Sequence, residues 1–176
     1  MKKDVSNLMR LLSLTIVLAL ITPAITNAQA GKANFAGTWA VNAAKSTPAP
    51  TAGGGQGGGG GQRMGGGDFV ATQAANLLTS TRTRTGQDGT PTTTILKYTL
   101  DGKESINTNP RGDSKSVATW SADGKILTIV TTSTFNDTER KSSEAWTLTD
   151  SKTLSITSTR QGQDGPVITT RVYDKK

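Results

Sequence analysis

The chain has 176 residues and a formal net charge of +7, and it contains neither cysteine nor histidine. Disulfide bonds, a thiol nucleophile, a histidine general base and the usual zinc ligands are therefore excluded. The basic residues are scattered, with no basic run or aromatic-rich binding motif, so the sequence predicts no nucleic acid partner.

Residues 1–30 have the pattern of a signal peptide. A basic start, MKKDVSNLMR, precedes an apolar run of eleven residues, LLSLTIVLALI, which is too short to span a bilayer comfortably. Ala28-Gln29-Ala30 then matches the small-x-small cleavage pattern. We predict that residues 1–30 are cleaved and that no stable membrane insertion follows. A retained membrane anchor is the alternative interpretation.

Residues 31–176 have the size of one domain, which comprises 146 residues with a net charge of +5. Within it, residues 46–67 read STPAPTAGGGQGGGGGQRMGGG, a tract without an apolar face. Such a composition predicts a disordered loop after the first strand. A phosphate-binding loop is disfavoured because Gly67 leads into DFVATQ and not into Lys-Ser/Thr and a helix.

The rest of the domain has the pattern of an all-β protein. Threonine, serine and β-branched residues alternate with polar ones, turn signals recur about every ten residues, and no window has a helical period. We predict about ten strands, beginning near residues 36, 69, 77, 91, 103, 115, 125, 139, 152 and 166. Because closure removes exposed edges, this antiparallel up-and-down meander should form a barrel.

The predicted turns divide between the two ends of this barrel. Short turns at Asp101, Asp123 and Asp150 fall at one end, which we interpret as closed. The glycine-rich tract and the two Gly-Gln-Asp-Gly turns, 86–89 and 162–165, fall at the other end, which we interpret as the mouth. The tract would then be a loose lid over the mouth.

Pairing across the turns predicts which side chains face the interior. Trp146 should lie opposite Ile156, and Leu78 opposite Tyr98. The lower interior is then aromatic, with Trp39, Tyr98, Trp120, Trp146 and Tyr173. The upper interior is polar, with Ser80, Arg82, Arg84, Thr92, Thr94, Ser142, Glu144, Ser158, Arg160 and Thr169. A register error of one residue would instead place Arg82 and Arg84 in solvent.

A near-repeat brings two arginines to the mouth. Arg84 and Arg160 each stand two residues before a Gly-Gln-Asp-Gly turn. Asp88 and Asp164 within those turns could form an acid–base pair, but aspartate is also expected in such turns for backbone reasons. We favour the turn interpretation and predict no catalytic residue, no metal site and no cofactor.

The start of the domain, FAGTWAVNAAKS, places Gly37 and Trp39 on the first strand and resembles the lipocalin-like pattern. YTLDGKES, WSADGKILTI and WTLTDSKTLSIT are similar to segments of small exported bacterial lipocalin-like proteins of unassigned function. The resemblance implies a barrel of about eight to ten strands. It also implies that an arginine of the last strand, here Arg171, crosses the ring of Trp39 near the closed end.

These patterns predict an exported protein, periplasmic or secreted, that binds a small amphiphilic or weakly acidic ligand. The predicted ligand-binding residues line the barrel interior: Arg84, Arg160, Tyr98, Trp120, Trp146 and Glu144. Glu144 also lies close enough in the predicted register to pair with Arg160. The alternative is a structural or interaction protein of the cell envelope, with a filled barrel and no ligand.

Overall fold

The computed structural model describes residues 31–47, 67–86, 88–109, 112–135, 137–162 and 164–176. The predicted signal peptide and most of the predicted glycine-rich loop lie outside these ranges. The described chain forms ten strands. They are β1 (Gly37–Asn42), β2 (Phe69–Ala74), β3 (Leu77–Thr85), β4 (Pro91–Thr99), β5 (Glu104–Asn109), β6 (Gly112–Trp120), β7 (Ile126–Phe135), β8 (Thr138–Asp150), β9 (Thr153–Gly162) and β10 (Gly165–Lys175).

All ten strands belong to one antiparallel sheet, in the order β4-β3-β2-β1-β10-β9-β8-β7-β6-β5. Only β1 departs from a simple meander, because it pairs with the last strand, β10, as well as with β2. The sheet therefore curls until its edge strands, β4 and β5, face each other. This confirms the prediction of an all-β barrel built from an up-and-down meander.

Side chains bridge the remaining gap between β4 and β5. The amide of Asn107 accepts a hydrogen bond from the backbone N–H of Lys97 at 2.8 Å and donates to its carbonyl at 3.0 Å. The hydroxyl of Ser105 accepts a hydrogen bond from the N–H of Thr99 at 2.8 Å. A side-chain amide carries the same donor and acceptor as a peptide group, so Asn107 takes the place of a ladder pair. The barrel is nearly closed.

The strand register matches the predicted pairing. Trp146 lies opposite Ile156 and Leu78 lies opposite Tyr98, as the turn positions require. Arg160 also faces Val167 across the second Gly-Gln-Asp-Gly turn. Since side chains alternate between the two faces of a strand, one correct pair fixes the inward face of both strands. Arg82 and Arg84 accordingly share the inward side of β3 with Leu78.

Aspartates stabilise the turns at the end predicted to be closed. Asp101 and Asp150 each accept a hydrogen bond from the backbone N–H two residues later, at 3.1 and 2.7 Å. These hydrogen bonds favour the charged carboxylate and lower the pKa of both groups below its usual value. The local chemistry of an Asp-Gly or Asp-Ser turn thus explains these residues.

An aromatic cluster fills the closed end of the barrel. Trp39, Tyr98, Trp146 and Tyr173 are buried there, as predicted. Two further rings belong to this core although the predicted aromatic interior did not include them: Phe35 and Phe69. We call this group the aromatic floor: Phe35, Trp39, Phe69, Tyr98, Trp146 and Tyr173. Trp120 packs against it but is only half-buried.

Residues 31–36 cross the closed end before β1 begins. The N–H of Ala33 donates to the carbonyl of Gly124 in the β6–β7 turn at 2.9 Å. The amide of Gln73 accepts from the N–H of Phe35 and donates to the carbonyl of Ala33. These bonds hold the segment across the barrel, so that Phe35 is completely buried between strands distant in sequence.

A lysine lies over the ring of Trp39. Trp39 is paired with Lys175 of β10, and the Lys175 ammonium nitrogen is 5.5 Å from the centre of the indole. Arg171, which the resemblance assigned to this contact, lies four residues earlier on β10, opposite Ile156. Four residues of a strand span about 13 Å. The register therefore brings Lys175, rather than Arg171, to the ring of Trp39.

Candidate functional site

The inward face of the barrel becomes more exposed toward the end that carries the two Gly-Gln-Asp-Gly turns. On β9, Leu154 and Ile156 are buried, Ser158 is half-buried and Arg160 is exposed. The inward residues of β3 and β8 follow the same gradient. Solvent therefore reaches the inner wall above the aromatic floor, and this end is the mouth.

The inner wall formed by β5, β6 and β7 does not follow this gradient of exposure. Its polar residues stay buried and form hydrogen bonds within the wall. The hydroxyls of Ser116 and Thr131 are 2.9 Å apart, and Ser114 donates to the carbonyl of Asn107 at 3.2 Å. Their hydrogen-bonding capacity is used inside the protein. Another group of inward polar side chains lies on β3, β4 and β8. We call this set the polar cup: Ser80, Arg82, Tyr98 and Glu144.

Arg82 is the cation of the polar cup. Its guanidinium carbon lies 4.4 Å from the centre of the Phe69 ring, and its Nη1 donates to the carbonyl of Gly67 at 3.2 Å. The side chain is half-buried. Contact with an aromatic face holds the guanidinium plane in position, while its remaining N–H groups can still donate to a bound molecule.

Glu144 is the anion of the polar cup. Its Oε2 accepts a hydrogen bond from the indole N–H of Trp146 at 2.9 Å. Trp146 is buried in the aromatic floor, so this bond fixes the carboxylate at the floor's upper surface. A carboxylate can accept several hydrogen bonds, and the indole uses only one of them. Arg160 lies opposite Ser142, two residues closer to the mouth than Glu144.

Tyr98 is the phenol of the polar cup. The side chain is 5% exposed, and its burial raises the pKa of the phenol well above its usual value. The negative charge of Glu144 raises this pKa further, whereas Arg82 acts in the opposite direction. The phenol therefore keeps its proton and can donate a hydrogen bond.

Ser80 brings an unsatisfied hydroxyl to the polar cup. It is 2% exposed, and its Oγ forms no hydrogen bond within the part of the chain that the structure describes. It lies two residues before Arg82 on the inward face of β3, opposite Ala71 and Leu96. A buried hydroxyl without a partner is unfavourable by about 1–3 kcal/mol, which a hydrogen bond from a bound molecule would offset.

The structure separates the residues predicted to bind a ligand into three places. Tyr98, Glu144 and Trp146 lie together in the polar cup and the floor beneath it. Arg84 and Arg160 lie farther out, with exposed side chains, at the rim of the mouth. Trp120 lies at the opposite, closed end.

Trp120 borders an open cleft of about 310 Å³ at the closed end, together with Lys32 and Asp101. Its ring stacks on Phe35 with centroids 5.8 Å apart, and the ammonium nitrogen of Lys32 is 5.5 Å from the ring centre. The cleft is shallow and separated from the polar cup by the aromatic floor. Trp120 therefore cannot contact a molecule held in the mouth.

Sequence reasoning placed Arg82 in the interior but did not select it as a binding residue. Arg84 and Arg160 were selected because they occupy the same position in the two copies of the repeat. Only the graded exposure along β3 distinguishes Arg82 from Arg84. Phe69, which lies against Arg82, stands two residues after the end of the glycine-rich tract, at the very start of the predicted second strand.

Asp88 acts as a turn residue. Its Oδ1 accepts a hydrogen bond from the N–H of Thr90 at 3.0 Å, which lowers the pKa of the carboxyl below its usual value. In the described ranges, no group of three or more acidic, histidine or cysteine side chains could hold a metal ion. No helix in those ranges is long and apolar enough to cross a membrane.

The fold and the cup define a class: an antiparallel, nearly closed β-barrel whose mouth is lined with polar side chains. Among solved structures, the chain is similar to zebrafish ileal bile acid-binding protein complexed with cholic acid, with a TM-score of 0.45 and 22% identity over 62% of this chain and 72% of that one. It is also similar to a mutant of the fluorescent protein UnaG, with a TM-score of 0.50 and 18% identity over 81% of this chain and 96% of that one.

The likeness to UnaG shows a shared barrel fold. No protein-family model matches the chain, and no curated protein matches it. Membership of the lipocalin-like family stays a prediction that rests on the sequence motifs.

Proposed function

We propose that this chain is an exported, non-enzymatic protein that binds a small amphiphilic or weakly acidic molecule in the mouth of its barrel. The observation that carries the proposal is the polar cup above the aromatic floor. There the buried hydroxyl of Ser80 has no partner in the described chain, next to a positioned guanidinium. A molecule with an apolar body and an acidic group would satisfy both.

Physical chemistry favours such a ligand over a purely apolar one. A charge interaction is stronger in a half-buried site than in water, because the local dielectric is lower. Arg82 would bind the acidic group, with Ser80 and Tyr98 as neutral donors. The apolar part would cover the upper surface of the floor.

Export is proposed from residues 1–30, whose basic start, short apolar run and Ala28-Gln29-Ala30 site form the signal-peptide pattern. The non-enzymatic assignment is supported by the chemistry of the whole chain, which contains no histidine or cysteine. The turn role of Asp88 further weakens the acid–base alternative.

A structural role in the cell envelope is the second candidate. It is favoured by the wall of β6 and β7, where Ser116 and Thr131 satisfy each other inside the barrel. If the remaining interior is filled in the same way, no small molecule will bind.

Titration with an anionic amphiphile, 1-anilinonaphthalene-8-sulfonate, distinguishes these candidates. We expect saturable binding, detected by probe emission and by a change in tryptophan fluorescence. Arg82→Gln should weaken binding about tenfold, since a hydrogen bond to a charged group contributes about 1.5–3 kcal/mol. Arg84→Gln and Arg160→Gln should have smaller effects because solvent screens exposed charges.

Lys141→Gln is the matched control. Lys141 is exposed on the outer face of β8, and its substitution changes the net charge by the same amount as Arg82→Gln. Binding should be unchanged in this variant, and near-ultraviolet circular dichroism should show that each variant is folded. Absence of saturable binding by the folded wild-type protein would reject ligand binding in favour of the structural role.

A further inference from the structure

We propose that the polar cup selects a small zwitterion, with the anionic group of the ligand at Arg82 and its protonated amine at Glu144. This inference rests on the proposed function, because it specifies the chemistry of the molecule bound there. It deepens that function by assigning a role to Glu144, a negative charge that would disfavour a purely acidic ligand.

The two charges are connected through the aromatic floor but do not pair with each other. The guanidinium of Arg82 lies against Phe69, whose ring meets Trp146 edge-on with centroids 5.6 Å apart. Trp146 in turn donates to Glu144. The aromatic floor therefore holds both the cation and the anion in place.

Opposite charges in one half-buried site would ordinarily attract until they form an ion pair. Yet neither Arg82 nor Glu144 takes part in the ion pairs that join exposed lysines to acidic groups elsewhere in the described chain. Arg82 is held by the Phe69 ring and the Gly67 carbonyl. Glu144 is held by the indole of Trp146. Each keeps unused hydrogen-bonding capacity. A ligand that carries both charges would complete both sites at once.

The neutral groups of the cup fit the same arrangement. Tyr98 is buried on the inward face of β4, opposite Leu78, and the charges of Glu144 and Arg82 shift its pKa in opposite directions. Ser80 lies two residues before Arg82 on the same face of β3 and keeps an unpartnered hydroxyl. Both hydroxyls can donate to the anionic group beside Arg82. The cup thus offers donors at the Arg82 side and an acceptor at the Glu144 side.

Three dansyl probes that differ only in their charged end test the proposal. Nε-dansyl-lysine is a zwitterion, N-dansyl-6-aminohexanoate is an anion and dansylcadaverine is a cation. We expect the full-length folded protein to bind the zwitterion about tenfold more tightly than the anion, because one further charged hydrogen bond is formed. The cation should bind most weakly because it leaves Arg82 without a partner.

Two substitutions test which residue binds the amine and which binds the anionic group of the probe. Glu144→Gln should weaken zwitterion binding about tenfold and leave anion binding equal or tighter, since the amide can still accept the Trp146 bond but carries no charge. Arg82→Gln should weaken both the zwitterion and the anion. Glu139→Gln, an exposed site on the outer face of β8, removes the same charge and should change neither.

The outcomes separate this inference from the function on which it rests. If the anion binds as tightly as the zwitterion, or if Glu144→Gln weakens both equally, the zwitterion assignment is wrong and an acidic ligand remains. If none of the three probes binds to the folded protein, both the assignment and the proposed ligand-binding function are wrong.

Discussion

Substitution of Phe35 by alanine should lower the free energy of unfolding by about 3–5 kcal/mol, the usual effect of deleting a buried aromatic ring. Phe35 is fully buried, and its ring stacks on Trp120 and meets Trp146 edge-on at 5.7 Å. Both contacts and the burial of the ring are lost in the variant. Chemical denaturation followed by tryptophan fluorescence measures the change.

An exposed residue of similar character provides the control. Ile168 on the outer face of β10 is 61% exposed, and Ile168→Thr keeps a β-branched side chain. Its effect should remain within about 0.5 kcal/mol. Equal stability of Phe35→Ala and the wild type would show that residues 31–36 are not part of the folded core.

Gly124→Ala should push residues 31–33 away from the β6–β7 turn and lower the free energy of unfolding. Gly124 has a φ of +69°, and a Cβ built there would lie 2.6 Å from the carbonyl oxygen of Gly31. That oxygen belongs to the backbone, so the segment itself must move. We expect a cost of about 1–2 kcal/mol for the left-handed conformation and a further loss of about 1–3 kcal/mol for the clash.

Gly102→Ala is a closely matched comparison. Gly102 also stands between Asp and Lys in a turn at the closed end and has a φ of +79°, but a Cβ there meets nothing within 4 Å. Only the conformational cost of about 1–2 kcal/mol should therefore appear in this variant. Denaturation midpoints of the two variants give the difference directly. Equal destabilisation would mean that the segment does not press against the β6–β7 turn.

The strand order and register could be predicted because they depend on local signals. Period-two alternation fixes which face of a strand points inward, and each short turn fixes the partner of the next strand. The pairs Trp146–Ile156 and Leu78–Tyr98 follow from these two rules alone. The pairing of β1 with β10 required the further argument that a long meander closes on itself.

The positions that the sequence did not predict depend on how deeply each side chain lies in the folded barrel. Phe35 precedes the first strand, so no periodicity marks it as core. Arg82 and Arg84 share one face of β3, and only the level at which the barrel opens makes one half-buried and the other exposed. Likewise, the choice between Lys175 and Arg171 at Trp39 depends on how far β10 runs past β1. The lid, the signal peptide and export remain predictions.

The gap between β4 and β5 illustrates the same limit. The alternation of side chains along the sequence cannot show that Asn107 on β5 forms hydrogen bonds with the backbone of Lys97 on β4. A side-chain amide substitutes for a backbone pair only when two edges meet at the right distance, and that distance is set by the curvature of the whole sheet.

Native mass spectrometry of the protein isolated from its source tests the central claim most directly. If the polar cup binds a small molecule, the folded protein should carry a defined additional mass that is released on unfolding. The same mass should be absent or reduced when Arg82→Gln is expressed in that source. A folded wild-type protein that shows only the mass of its own chain would contradict the account and favour a barrel that binds no ligand.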